Sequence, residues 1–142
     1  MLYFVFNVGV CALIVHTLFI FYIMTNEEKQ LLLKDLCGRL LYSVKCNALL
    51  KQIDGSLKSV FGTLKGYNNG WAIVGNNLVD IETVKPYLRP LSSMTEEEKK
   101  EQYKFSAFNN VELFDWLNVH HFDYRGLIEK GLALEAPKEM YA

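Results

Sequence analysis

Two imidazoles, a carboxylate, a phenol and a guanidinium crowd into one short stretch: His120, His121, Asp123, Tyr124 and Arg125. Such groups could do acid-base chemistry or hold a cation, because imidazole changes charge near neutral pH and both imidazole and carboxylate offer lone pairs to metals. A metal site is not expected here. No His-x3-His pair falls on a helix face, and the remaining histidine, His16, lies in a distant apolar segment. An enzyme using His120, His121 and Asp123 stands as one alternative, with no catalytic residue, cofactor or metal assigned. The plainer account makes the stretch a helix boundary: histidine complements the dipole at a helix C-terminus, Asp123 caps the next element, and Tyr124 and Arg125 bind back to the preceding helix. The same five residues are the expected binding residues if the tail from His120 to Ala142 carries a partner surface.

A second group of chemistry-bearing residues lies upstream. Between Arg39 and Pro90 there are seven basic residues (Arg39, Lys45, Lys51, Lys58, Lys65, Lys85, Arg89) against three acidic ones (Asp54, Asp80, Glu82). Beyond Pro90 the balance reverses, and the net charge of the chain is -1. Tyr42, Phe61, Tyr67 and Trp71 are interleaved with the basic residues, the combination with which small sheets stack bases beside a positive groove. A nucleic-acid-binding module on residues 39–90 is therefore a further alternative, although aromatics of this kind are also ordinary core residues. Nucleotide chemistry lacks support: Gly62, Gly66, Gly70 and Gly75 are spaced as turns, and no serine sits in a nucleophile elbow. The three cysteines, Cys11, Cys37 and Cys46, show no paired spacing and read as reduced thiols.

The elements that must position these groups form an α+β domain over residues 24–142. Thr25 and Glu28 make a capping box for a first helix over 26–37, which Gly38 would close. Short apolar runs at 42–52, 57–64, 71–74 and 78–84, separated by Asp54-Gly55, Asn69-Gly70 and Gly75-Asn76, predict a four-stranded antiparallel sheet or SH3-like barrel. Pro86 and Pro90 should end the sheet and leave an extended strap over 85–91. Two to three C-terminal helices follow: one over 96–108 behind the capping box of Thr95 and Glu98, and one from Asn109 or Asn110 to His120 with a wide buried arc. A last short helix over 124–130 would be capped by Asp123 and closed by Gly131.

Residues 1–23 carry no charged side chain and as a helix would extend roughly 34 Å, enough to cross a bilayer. Three readings compete: a start assigned too far upstream of Met24, a single transmembrane anchor, and a signal peptide. The last is weakened by the absence of an n-region Lys or Arg and of a small-x-small site. The flanks favour Met24 as the start, which makes the domain cytoplasmic; with the segment present, Lys29, Lys34 and Arg39 keep the domain on the cytoplasmic side of a single-pass anchor.

Three strings, MTNEEKQLLLKDLCGRL from Met24, VDIETVKPYLRPLSSMTEEE from Val79 and WLNVHHFDYRGLIEKGLALEAP from Trp116, resemble a short uncharacterised protein family of gut Bacteroidales genomes and their phages or mobile elements. The resemblance implies an origin and a start at Met24, but no activity. Together these features point to a small non-enzymatic binding or adaptor protein with a protein partner, seated on the sheet or on the tail from His120.

Overall fold

The computed structural model of the chain describes residues 23–107 and 109–142. All but Ile23 of the apolar segment expected as an extra helix lies outside the described residues. Among those residues, no helix is long and apolar enough to cross a membrane. In chain order the elements are α1 (Asn26–Arg39), β1 (Lys45–Lys51), β2 (Leu57–Asn68), β3 (Trp71–Val74), β4 (Asn77–Asp80), β5 (Lys85–Leu88), α2 (Glu96–Ser106), α3 (Asn110–Val119) and β6 (Leu134–Glu135).

The fold is α+β, but the four-stranded antiparallel sheet or SH3-like barrel is corrected to a mixed sheet of six strands in the order β4-β3-β2-β1-β5-β6. The two added strands come from the proline strap and the tail. Pro86 does not end the sheet, because β5 makes only a two-residue ladder with β1, Cys46 opposite Pro86 and Asn47 opposite Lys85. A proline is tolerated in so short a ladder, where little depends on its missing donor. On its other side β5 runs parallel to β6, with Tyr87 opposite Leu134 and Leu88 opposite Glu135.

The hairpin corners form where expected. Asn69 and Gly70 both have positive φ, 46° and 86°, as a type I′ turn requires. Strand β2 is longer than its apolar run and changes partner midway: its first half pairs with β1 and its second with β3, with a register shift between Leu64 and Gly66. The sheet also curls sharply at Gly62. A Cβ there would stand 2.8 Å from the backbone of Gly75, so the β3–β4 turn tucks under β2 only because position 62 has no side chain.

The concave side of the curl holds Cys46, Ala48, Leu64, Ala72, Val74 and Val79, packed against Leu32 and Leu36 of α1 and Leu127 and Leu132 of the tail. A smaller cluster of Met94, Trp116, Leu117 and Phe122 fastens the α2–α3 hairpin. Helix α1 passes through Gly38 instead of stopping before it, because Gly38 does not take the positive φ of a C-terminal glycine stop. The chain then makes a 3-10 turn, Leu40–Tyr42, and reverses at Ser43 with φ 56°. Helix α3 buries less than its apolar arc suggests, for Val111, Phe114 and Val119 are exposed. The expected helix over 124–130 is a run of turns, because Gly126 and Gly131 take φ of 71° and 70°.

Gly62→Ala should destabilise the protein by about 1–3 kcal/mol through overpacking against Gly75. Gly66→Ala, whose Cβ would meet only Ile73 Cδ1 at 3.6 Å, should change stability much less. Urea unfolding of the two variants checks this, and equal losses would show that the curl does not depend on position 62.

Candidate functional site

The stretch of imidazoles and charges begins where α3 ends. His120 is the C-terminal cap of α3; its Nδ1 lies 2.9 Å from the Trp116 carbonyl and its ring lies against Trp116 at 4.2 Å. His121 then takes the left-handed conformation, φ 58°, which turns the chain so that Phe122 runs beside Arg89. Two backbone bonds hold that crossing: Arg89 N–H donates to the His121 carbonyl and Asp123 N–H donates to the Arg89 carbonyl, both at 2.8 Å.

Each predicted binding residue then makes contacts inside the fold, although His121 Nδ1 and Arg125 Nε have no hydrogen-bond partner among the described residues. Both carboxylate oxygens of Asp123 accept backbone N–H groups, from Leu127 and Ile128 at 2.9 Å, so it caps as expected, but caps turns and no helix. The Tyr124 hydroxyl donates to Asn118 Oδ1 at 3.0 Å, and Arg39 and Arg125 lie over its ring at 5.3 and 5.0 Å. Arg125 Nε is 3.5 Å from Asp35 Oδ1. His121 is buried and stacks on Tyr141 with ring centroids 3.8 Å apart. Burial, reinforced by the positive charges of Arg39, His120, Arg89 and Lys45, lowers its pKa to about 4. The two histidines and the aspartate therefore face different partners, and the arrangement positions chain segments. Among the described residues, no group of three or more His, Cys, Asp or Glu side chains could hold a metal ion.

Two residues outside the five binding candidates organise the stretch, and one of them, Arg39, is a member of the basic set of residues 39–90 and is buried completely by the fold. Asp35 and Arg39 are fully buried one helical turn apart in α1. Arg39 Nε donates to Asp35 Oδ2 at 2.7 Å, and its Nη2 donates to Asp35 Oδ1 at 3.0 Å and to the Phe122 carbonyl at 2.7 Å. Their signal was in the spacing: Leu32, Asp35, Leu36 and Arg39 lie on one face of a 3.6-residue helix, so the pair belongs to the buried stripe. The tail is tied in as well. The Tyr141 hydroxyl accepts the Lys45 N–H and donates to the Tyr87 carbonyl, both at 2.9 Å, and so joins β1 to β5 where their direct pairing stops. A cleft of about 470 Å³ beside it is lined by Arg89, Ser93, Glu98 and tail residues. Arg89 is engaged there by a two-bond pair with Glu98, at 2.8 and 2.9 Å. Cys46 is a buried thiol pushed up to about 12 by desolvation, whereas Cys37 is exposed.

The surface that is not consumed is the convex side of the sheet. Strand alternation turns Ala72, Val74 and Val79 inward and Trp71, Ile73 and Leu78 outward, where they are about half exposed. Ile73 and Leu78 are direct cross-strand neighbours, and Ile73 is opposed on β2 by Gly66, which has no side chain to cover it. Of the four aromatics considered for nucleic acid, Phe61 and Trp71 lie exposed, while Tyr67 packs on the core and Tyr42 is half-buried. Comparison of the chain with protein families, curated proteins and solved structures finds no match.

Asp35→Asn should destabilise the fold by about 3–5 kcal/mol, as expected when one partner of a buried ion pair is removed. The His121 linkage has a defined sign. Its folded pKa lies below the ordinary value, so the unfolded chain binds the proton first and stability falls as pH drops from about 6.5 to about 4. Unfolding midpoints across that window should show the fall in the wild type and a flatter profile in His121→Asn, which tolerates positive φ. An unchanged profile would remove His121 as its source.

Proposed function

We propose that the chain is a small non-enzymatic adaptor of a phage or mobile element that binds a protein partner through the apolar row on β3 and β4. The observation carrying this reading is that Trp71, Ile73 and Leu78 project from one face of two paired strands into solvent. Single exposed apolar residues are common and need no explanation, but a contiguous set containing tryptophan is the composition of an interface centre. The tail from His120, the other expected partner surface, supports the reading by elimination, since Asp123, Tyr124 and Tyr141 are engaged by the chain itself. The resemblance to short proteins of gut Bacteroidales phages and mobile elements agrees with an adaptor of this size.

The row sits at the end of the sheet away from β6, on strands joined by a tight turn, so a partner would meet a rigid surface. Rigid aromatic contacts lose little side-chain entropy on binding. Affinity capture from native-host extract with wild type, Trp71→Ala, Leu78→Lys and a Tyr103→Ala control on exposed α2 tests the proposal. A protein retained by wild type and Tyr103→Ala should be lost from the two sheet variants, with affinity reduced about 30-fold or more. Equal retention by all four would dismiss the row as the interface.

A further inference from the structure

The β1–β2 hairpin carries chemistry that neither the core nor the row on β3 and β4 uses. Its turn is tightly built: Gln52 N–H donates to the Ser56 carbonyl at 2.8 Å, Gly55 N–H donates to the Gln52 carbonyl at 3.0 Å, and Gly55 takes φ 83°. Asp54 Oδ1 accepts the Ser56 N–H at 2.9 Å and the Ser56 hydroxyl at 2.6 Å. Such a frame uses its glycine and its aspartate, but nothing in it calls for a large apolar side chain. Ile53 nonetheless stands wholly in solvent at the tip, with Leu57 and Leu49 exposed below it. Register sets Lys51 opposite Leu57 and Lys58 opposite Leu50, so each face of the hairpin end carries one lysine and one leucine. Both lysines are exposed, and neither is held in an ion pair among the described residues.

The base of this hairpin lies where the chain enters the fold. Leu49 N–H donates to Thr83 Oγ1 at 3.3 Å, and the neighbouring Glu82 pairs with Lys29 in the first turn of α1. Ahead of that turn Met24 packs on the core, Ile23 is exposed, and residues 1–22 contain no charged side chain. We infer that this end of the domain docks on the surface of a lipid bilayer, with Ile53 and Leu57 entering the interface and Lys51 and Lys58 behind them at the headgroups. The shape of the hairpin selects the ligand. A protein that covers a projecting tip needs a preformed pocket for it, whereas lipid closes around an apolar side chain of any outline. The uncharged sequence leading into α1 makes the same end more apolar still. Lysines just behind the tip fit an interface, since their stems lie along apolar surface while the ammonium groups reach the polar layer. Asp54 is the only carboxylate between residues 49 and 59, and Ser56 satisfies it within the turn. The inference is independent of the protein-binding row, which uses other strands; with both in place the adaptor would hold its partner at a membrane.

Hydrogen exchange of the full chain, read by mass spectrometry with and without vesicles of phosphatidylcholine carrying about 30% phosphatidylserine, tests it. Peptides covering residues 49–59 should exchange more slowly when vesicles are present, while peptides from α2 keep their rates. Ile53→Ser, a change in solvent that leaves the core untouched, should raise the lipid concentration needed for half the effect about tenfold or more. Lys58→Gln should raise it about fivefold. Trp71→Ala should leave the slowing intact, which keeps this result separable from failure of the protein-binding proposal. No slowing at residues 49–59, equal slowing in Ile53→Ser, slowing by protein from native-host extract but not by vesicles, or loss of the effect in Trp71→Ala would each overturn the inference.

Discussion

The fold depends on placing two full charges, Asp35 and Arg39, where water does not reach them. Desolvating such a pair costs several kcal/mol per ion, and attraction between the partners offsets this only when the remaining donors and acceptors are also engaged. Here the carboxylate takes two hydrogen bonds from one guanidinium, and that guanidinium spends a third on the carbonyl of Phe122, while its buried Nη1 has no hydrogen-bond partner among the described residues. The third bond matters most for architecture. A leucine pair in α1 could supply comparable packing, but it could not select which residue of a remote segment sits above the helix. The ion pair fixes that choice at Phe122, 83 positions along the chain.

From Phe122 the constraint spreads through shared atoms. Its ring stacks on Trp116 at 5.7 Å and lies under Arg89 at 4.3 Å, so the end of α3 and the end of β5 are positioned by one side chain. Arg89 in turn donates to both oxygens of Glu98, whose Oε2 also accepts the Thr95 N–H at 2.9 Å. One carboxylate thus completes the cap of α2 and anchors that helix to the sheet. The hydrogen bonds from Arg89, aided by Thr95, hold the Glu98 carboxyl below the usual carboxylate range, so this contribution is present at neutral pH and is lost as the solution becomes acidic. Helix α2, which has no fully buried residue of its own, is held by this link and by its packing against α3.

What was legible in the sequence was what is settled locally. Both capping boxes, the Asn69-Gly70 corner and the Asp123 cap are decided within a few residues, and each forms. Strands β5 and β6 were not legible, because each is created by two-residue pairings with distant partners and leaves no periodicity to read. Gly38 reads as a helix stop on propensity, yet the helix runs through it to Arg39, which Asp35 holds from one turn earlier. The residue types around His120 are also those that close contacts between segments need: imidazole, phenol and guanidinium each meet a neighbouring element there. Asp35 was overlooked, and Arg39 was counted as a surface charge, because charged residues on a helix are ordinarily solvated.

The distribution of side-chain size across the sheet bears on why the convex surface is free to act. Inside the curl the central positions are small, Cys46, Ala48, Gly62 and Ala72, since a tight bend leaves little volume between β2 and the β3–β4 turn. Outside stand Leu49, Phe61, Trp71, Ile73 and Leu78. The small residues sit at the bend itself, while Val60, Leu64, Val74 and Val79 also face inward and supply most of the apolar burial of the sheet. Folding does not account for aromatic rings left half in water, and such surfaces carry a risk of aggregation. Lysines often guard sheets against that risk, but they do so on edge strands, where unpaired backbone invites another chain. Lys45 and Lys51 lie on β1, which runs between β2 and β5 in the middle of the sheet. Edge protection is therefore not their role, and Lys45 instead spans the β1–β2 pair, its Nζ donating to Thr63 Oγ1 at 2.7 Å.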